Sequence, residues 1–192
     1  MVKMVKERII TKADLDSMNF LKEDSLEFDG DITFEENLGR VRIKKSVKLT
    51  GYLLIKAGSG IEAGEGIKAG EGIEAGLGIE AGWGIKAGSG IKAGWGIKAG
   101  LGIEAGWGIE AGSGIKAGEG IEAGLGIEAG EGIKAGWGIK AGDGIITFRY
   151  GGIIAKFISA LRIAVGFNIT KEQVIKAEIR KGKVILGEVK KV

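Results

Sequence analysis

The side chains best suited to binding in this sequence are tryptophans that recur at a fixed spacing. Trp83, Trp95 and Trp107 follow one another at intervals of twelve residues, and each stands between two glycines. Exposed indole rings can stack on other rings or on sugars, and a contiguous exposed apolar stripe usually marks an interface. The sequence contains no His and no Cys. Without them we can assemble no constellation of nucleophile, base and acid, so we expect no catalytic activity.

Two other motifs have the residue types of a ligand site but the wrong spacing. Gly58 and Gly60 resemble part of a phosphate-binding loop, but the next glycine is Gly64, which breaks the fingerprint spacing. Four acidic residues cluster near the N-terminus without the spacing of a calcium loop: Asp24, Glu27, Asp29 and Asp31. We therefore expect neither a bound cofactor nor a metal.

The tryptophans are positioned by a six-residue repeat that fills residues 55–144. The unit Ile-(Lys/Glu)-Ala-Gly-x-Gly occurs fifteen times without an insertion. Alternation within the unit predicts a three-residue strand, with Ile55 and Ala57 pointing inward and Lys56 outward. The two glycines supply the positive φ of a tight corner, and the variable fifth residue faces solvent. Such a repeat predicts an all-β solenoid in which each coil packs on its neighbours.

The number of hexads per coil decides which side chains are neighbours. A two-sided coil of twelve residues places Trp83, Trp95 and Trp107 on one edge as a stripe. Its other edge carries the remaining apolar fifth-position residues: Leu77, Leu101, Leu125 and Trp137. It also alternates charge sign along one sheet from Lys68 onward. A three-sided coil of eighteen residues scatters the tryptophans and stacks like charges. We favour twelve and keep eighteen as the alternative.

The repeat is flanked by an N-terminal cap, residues 1–54, and a basic C-terminal cap, residues 145–192. The N-terminal cap combines a short helix over about residues 12–20 with wider coils that begin at Leu26. In the C-terminal cap we expect one long strand over residues 157–165, a turn or one helical turn at Thr170–Gln173, and a closing β-hairpin around Lys181 and Gly182. This cap has ten basic and three acidic residues, which is typical of a solvated, edge-protecting end or of a contact with an acidic partner.

Three segments resemble uncharacterised bacterial and phage hexad-repeat proteins: the phrase Gly-Ile-(Lys/Glu)-Ala-Gly, Leu26–Asp31 and Leu161–Gly166. The resemblance implies a β-solenoid and no assigned activity, and the near-identical repeats also suit an engineered or consensus version. Hexapeptide acyltransferases of left-handed β-helix fold are less similar. They place the small inward residue before the aliphatic one and use a catalytic His, whereas here Ala57 follows Ile55.

These observations favour a non-catalytic structural or scaffold protein that forms a homodimer through the tryptophan edge. The alternative is a binding module, in which that edge or the basic C-terminal cap engages a protein, a glycan or an acidic partner. A use in phage–host conflict would rest on the resemblance alone. We expect no membrane, nucleic-acid or small-molecule partner. The chain shows no signal-peptide core and no apolar run of membrane-spanning length, so we expect a cytoplasmic location.

Overall fold

Parallel strands stacked into a β-solenoid of about eight turns make up this protein, as the repeat predicts. The structure is a computed structural model that describes residues 6–148, 152–165, 174–186 and 188–190. The strands of the N-terminal cap are β1 Glu7–Ile10, β2 Leu26–Phe28, β3 Asp31–Phe34, β4 Gly39–Ile43, β5 Val47–Leu49 and β6 Leu53–Ile55. Those of the repeat are β7 Ser59–Ala63, β8 Ile67–Ala69, β9 Ile73–Ala75, β10 Ile79–Ala81, β11 Ile85–Ala87, β12 Ile91–Ala93, β13 Ile97–Ala99, β14 Ile103–Ala105, β15 Ile109–Ala111, β16 Ile115–Ala117, β17 Ile121–Ala123, β18 Ile127–Ala129, β19 Ile133–Ala135, β20 Gly138–Ala141 and β21 Gly144–Thr147. The C-terminal strands are β22 Ile153–Val165, β23 Val174–Leu186 and β24 Glu188–Lys190.

Each coil of the regular repeat contains eighteen residues, so the solenoid is three-sided. Ile61 pairs with Ile79, and Ile79 pairs with Ile97, in parallel register. The preferred coil of twelve residues was wrong, and the alternative of eighteen is observed. Each of the three corners in a coil turns the chain by less than the complete reversal that a two-sided coil needs. A complete reversal within so few residues generally requires residues with positive φ.

The three sides are named here by the outward second-position residues that stack on successive coils. Face 1 carries Glu62, Glu80, Lys98, Lys116 and Lys134. Face 2 carries Lys68, Lys86, Glu104, Glu122 and Lys140. Face 3 carries Glu74, Lys92, Glu110 and Glu128.

The core is a column of isoleucines and alanines stacked in register on every face. From Ile61 to Ile145 each first-position isoleucine is at most 1% exposed. Identical residues stack because the strands pair without a shift, so each rung repeats the packing of the rung below. Burial of one Ile and one Ala contributes roughly 2–4 kcal/mol per hexad.

The two glycines of a hexad have different functions, and neither is the predicted left-handed turn. Among the described glycines, φ lies in the left-handed region at four positions, all in the two caps or at their boundary with the repeat: Gly30, Gly39, Gly58 and Gly182. A Cβ on Gly124, a fourth-position residue, would overlap the carbonyl oxygen of Gly106 on the preceding coil. A Cβ on Gly126, a sixth-position residue, would lie 3.5 Å from the Gly144 oxygen. From Gly78 to Gly126, a Cβ on a sixth-position glycine would lie 3.1–3.6 Å from a carbonyl oxygen of the next coil, so the backbone overlap is confined to the fourth position.

The regular register begins one hexad later than the sequence pattern predicts. Ile55 pairs with Ala75 and so occupies the alanine column, while Ala57, predicted to point inward, is exposed. The corner between β6 and β7 is longer than the others, and Ser59 is completely buried there. Its hydroxyl donates to the Glu35 carbonyl and accepts from the Leu38 N–H, at 2.7 and 2.9 Å.

The predicted N-terminal helix is reduced to one 3₁₀ turn, Lys12–Asp14. Its N-cap, Thr11, forms the expected capping pair with Asp14. The helix does not continue because the Asp16 carboxylate accepts the N–H groups of Met18 and Phe20 and holds the chain in a turn. No helix among the described residues is long and apolar enough to cross a membrane.

The long strand predicted in the C-terminal cap is present, but it winds around all three faces. Ile153, Ile158 and Ile163 of β22 pair with the core isoleucines of β19, β20 and β21 in turn. The spacing between inward isoleucines falls from six residues to five, because two-residue corners without glycine replace the three-residue corners. The alternation of inward and outward residues over 157–165 is therefore interrupted at the corner between the β20-paired and β21-paired parts of β22.

The predicted closing hairpin around Lys181 and Gly182 was also wrong. Strand β23 pairs parallel with β22 and continues the coil, with Ile175 beneath Ile153 and Val184 beneath Ile163. Strand β24 pairs parallel with the start of β23. The predicted turn at Thr170–Gln173 lies outside the described residues.

Candidate interaction surface

The fifth-position side chains lie on three corners, because successive fifth residues of one corner are eighteen apart. Corner A carries Ser59, Leu77, Trp95, Ser113 and Glu131. Corner B carries Glu65, Trp83, Leu101, Glu119 and Trp137. Corner C carries Glu71, Ser89, Trp107, Leu125 and Asp143. Backbone hydrogen bonds link the members, for example from the Leu101 N–H to the Trp83 carbonyl, at 2.9 Å. Apart from the buried Ser59, these side chains are exposed or half-buried, as predicted.

The predicted tryptophan stripe does not exist. Trp83, Trp95 and Trp107 lie on corners B, A and C, because a spacing of twelve residues moves the chain two corners onward in a three-sided coil. The other predicted edge is dispersed as well. Its four members lie on corners A, B, C and B in turn: Leu77, Leu101, Leu125 and Trp137.

Each corner instead presents one tryptophan and one leucine on adjacent coils. The pairs are Leu77 with Trp95, Trp83 with Leu101, and Trp107 with Leu125. Trp83, Trp95 and Leu101 are 57%, 62% and 46% exposed. The structure thus brings together apolar side chains that the sequence analysis had placed on opposite edges.

The fourth tryptophan, Trp137, is held by the C-terminal cap. Its ring meets Phe157 edge to face, with centroids 6.5 Å apart. The Lys156 ammonium lies 4.3 Å from the Trp137 centroid, and the Arg180 guanidinium lies 4.0 Å from the Phe157 centroid. Two of the basic residues in this cap therefore stack on aromatic rings, which adds modestly to stability at exposed sites.

A shallow groove follows each corner, with the sixth-position glycines as its floor. The grooves beside corners C, B and A have volumes of about 750, 680 and 540 Å³. In the groove beside corner A, Trp95 forms one wall and Lys98, Lys116 and Lys134 form the other. The glycine floor leaves the apolar corner side chains accessible from the neighbouring face.

Opposite charges on adjacent coils pair at four of the five places where the second-position residue changes sign within the described repeat. Lys86 pairs with Glu104 at 2.6 Å, and Lys92 with Glu110 at 3.2 Å. Lys98 pairs with Glu80. Lys140 donates to Glu122 at 2.6 Å, and this hydrogen bond raises the Lys140 pKa above its ordinary value. Exposed ion pairs of this kind add little to stability.

Face 1 is divided into an acidic half and a basic half. Glu62 and Glu80 stack on adjacent coils and share Arg40, which lies 3.3 and 3.4 Å from their carboxylates. Lys98, Lys116 and Lys134 stack on the next three coils. Within the described part of the chain, Lys116 and Lys134 have no ion-pair partner. Stacked like charges destabilise a sheet, so this segregation is unfavourable within a single copy.

The acidic residues near the N-terminus each bind a group on the next coil. Asp24 accepts from Lys44 at 2.8 Å, and Asp31 accepts from the Tyr52 N–H at 2.8 Å. Asp29 accepts from the Thr50 hydroxyl at 2.9 Å. The described residues contain no group of three or more potential metal-ligating side chains. These carboxylates therefore link coils to one another.

The tryptophan and leucine pairs could have been found from the sequence by arranging the fifth positions eighteen residues apart. Alternating charge, which favours twelve residues per coil, is a weak signal because exposed ion pairs contribute little. The packing of Ile and Ala is the same in every hexad, so it could not distinguish two hexads per coil from three.

Comparison with protein-family models, with curated proteins and with solved structures finds no match.

Proposed function

We propose that this chain is a non-catalytic structural rod that associates with copies of itself through the apolar side chains of its corners. The observation that carries the proposal is the tryptophan and leucine pair on each corner of the repeat, whose surface is otherwise formed mainly by Lys, Glu, Gly and Ser. Apolar pairs exposed in this way favour association over solvation. The continuous register from Ile61 to Ile145 supports a rigid role, because every coil is held by the coils on both sides.

The proposal is tested by measuring mass in solution for a triple variant, Trp83→Ser, Trp95→Ser and Trp107→Ser. We expect the unaltered chain to sediment as a concentration-dependent mixture of monomer and dimer, and the variant to remain monomeric. A control that replaces Glu131, Glu119 and Glu71 by Ser alters the same three corners without removing apolar area. Equal association of all three proteins would exclude the corners as the interface, and a strictly monomeric unaltered chain would exclude self-association.

A further inference from the structure

The charges of face 1 are self-complementary when a second copy is placed against it in the opposite direction. Along the rod, face 1 reads Glu62, Glu80, Lys98, Lys116 and Lys134. Consider a two-fold axis that lies in the plane of the contact, parallel to the strands, between the rungs of Glu80 and Lys98. It places Glu80 of each copy opposite Lys98 of the other. The same axis places Glu62 opposite Lys116. Four Glu–Lys pairs thus form across one isologous contact.

The same axis also matches the apolar side chains on both borders of face 1. At corner A it sets Leu77 of each copy against Trp95 of the other. At corner B it sets Trp83 of each copy against Leu101 of the other. All four side chains lie at the corners of the two rungs beside the axis. Trp83, Trp95 and Leu101, each more than 45% exposed in the single copy, lose most of their contact with water in such a pair.

We infer that two copies of this chain pair face to face and antiparallel through face 1, an inference that rests on the proposed self-association. The pairing explains why face 1 separates its charges although the repeat accepts either Lys or Glu at each second position. Lys116, which has no ion-pair partner in the described part of the chain, gains Glu62 of the other copy. Electrostatic complementarity of this kind fixes the register and direction of an interface.

The other two faces fit a second copy less well. Face 2 also has segregated charge, and an axis between Lys86 and Glu104 forms Lys–Glu pairs. Its border at corner C, however, sets Ser89 against Trp107 and Glu71 against Leu125. An equivalent axis on face 3 sets Glu74 against Glu128. Face 1 alone combines opposite charges in its centre with apolar pairs on both borders.

Like charges in the proposed pair are confined to its rim. Glu65 lies opposite Glu119, and Arg42 lies opposite Lys134, where water and salt screen them. The six rungs from Arg42 to Lys134 measure about 29 Å by about 20 Å. The interface therefore buries about 1,200 Å² in total, which is at the low end for specific complexes. The dimer is expected to dissociate on dilution, and high salt is expected to weaken it.

A charge-swap experiment tests the face and the direction together. One variant carries Glu62→Lys and Glu80→Lys, so that its face 1 is entirely basic. The other carries Lys98→Glu and Lys116→Glu, so that the four central positions of face 1 are acidic. We expect each variant alone to raise the dissociation constant at least about tenfold. An equimolar mixture should form a heterodimer at least as tight as the unaltered dimer.

Circular dichroism and thermal melting of each variant establish that it is folded, and recovery of association in the mixture confirms this independently. The matched control, Lys68→Glu with Lys86→Glu on face 2, should dimerise like the unaltered chain. A face 1 variant that still self-associates, a mixture that stays monomeric or a control that fails to dimerise would overturn the inference. Any of these results with a dimeric unaltered chain would leave the proposed self-association intact, whereas a monomeric unaltered chain would overturn both.

Discussion

Within a hexad, the fourth and sixth residues are both glycine, but the fourth lies much closer to the backbone of a neighbouring coil. A Cβ on Gly124 would collide with backbone of the preceding coil, whereas a Cβ on Gly126 would meet an ordinary contact at 3.5 Å. Backbone atoms cannot move aside as a flexible side chain can. Gly124 and Gly126 are two residues apart, so they offer a matched comparison of the two positions.

We predict that Gly124→Ala lowers the free energy of unfolding by about 3 kcal/mol or more. Gly126→Ala should change it by less than about 1 kcal/mol, since alanine also restricts the unfolded chain. Urea denaturation followed by circular dichroism measures both values. Equal losses for the two variants would contradict the account of the fourth glycine.

Ser59 is the one fifth-position residue whose side chain lies inside the protein. It bonds both the Glu35 carbonyl and the Leu38 N–H, so Ser59→Ala leaves one buried and one partly buried backbone group without this partner. We predict a loss of about 1–3 kcal/mol. Ser113→Ala on the same corner should cost less than about 0.5 kcal/mol. A comparison of the two melting curves tests this, and indistinguishable curves would refute it.

At the scale of the elements, the N-terminal cap contains three carboxylates whose pKa values are lowered, Asp14, Glu23 and Asp24. The backbone hydrogen bond from Thr11 is the main cause for Asp14, and the side-chain hydrogen bond from Arg8 is the main cause for Glu23. A carboxylate with a lowered folded pKa contributes stability above the unfolded pKa of about 4. This contribution is lost as the pH falls through the folded pKa.

We predict that Asp14→Asn destabilises the chain most at about pH 7, and that the difference shrinks as the pH falls below the unfolded pKa of about 4. Protonation removes from the unaltered chain the same interaction that the substitution removes. Chemical denaturation across this pH range measures the difference. Asp143→Asn, on the exposed corner C, serves as the control and should show little difference throughout. A difference for Asp14→Asn that stays constant with pH would contradict the prediction.

The individual strands of the repeat could be predicted from the sequence, and the way they continue into the caps could not. The alternation of Ile, a charged residue and Ala marks each strand, because only one face of it is buried. In the C-terminal cap the alternation is interrupted at corners that lack glycine, so β22 resembled one flat strand. Lys181 and Gly182 resemble a hairpin turn in the sequence. Local turn chemistry does not reveal whether the next strand pairs parallel or antiparallel, so the parallel pairing of β23 could not be predicted.

For the whole molecule, the solenoid fold could be predicted from the sequence and its interaction surface could not. The fold follows from a buried pattern that every hexad repeats. The surface depends on which of the variable residues become neighbours, and this changes completely between twelve and eighteen residues per coil. Trp83, Trp95 and Trp107 illustrate the difference, since one coil size aligns them and the other separates them by a third of a turn.

The eighteen-residue coil is the central claim, and cysteine cross-linking tests it directly because the chain contains no Cys. Lys86 and Glu104 pair on adjacent coils of face 2. Neighbouring strands lie about 4.8 Å apart, within the Cα separation that a disulfide requires. Lys92 is twelve residues from Glu104 and lies on face 3.

At low protein concentration under oxidising conditions, we predict that Lys86→Cys with Glu104→Cys forms an intramolecular disulfide in the folded chain. Lys92→Cys with Glu104→Cys should remain reduced under the same conditions. Mass spectrometry of the folded proteins distinguishes the two states. A disulfide in the second variant and free thiols in the first would contradict the three-sided coil, and with it the corners and faces on which the proposed association depends.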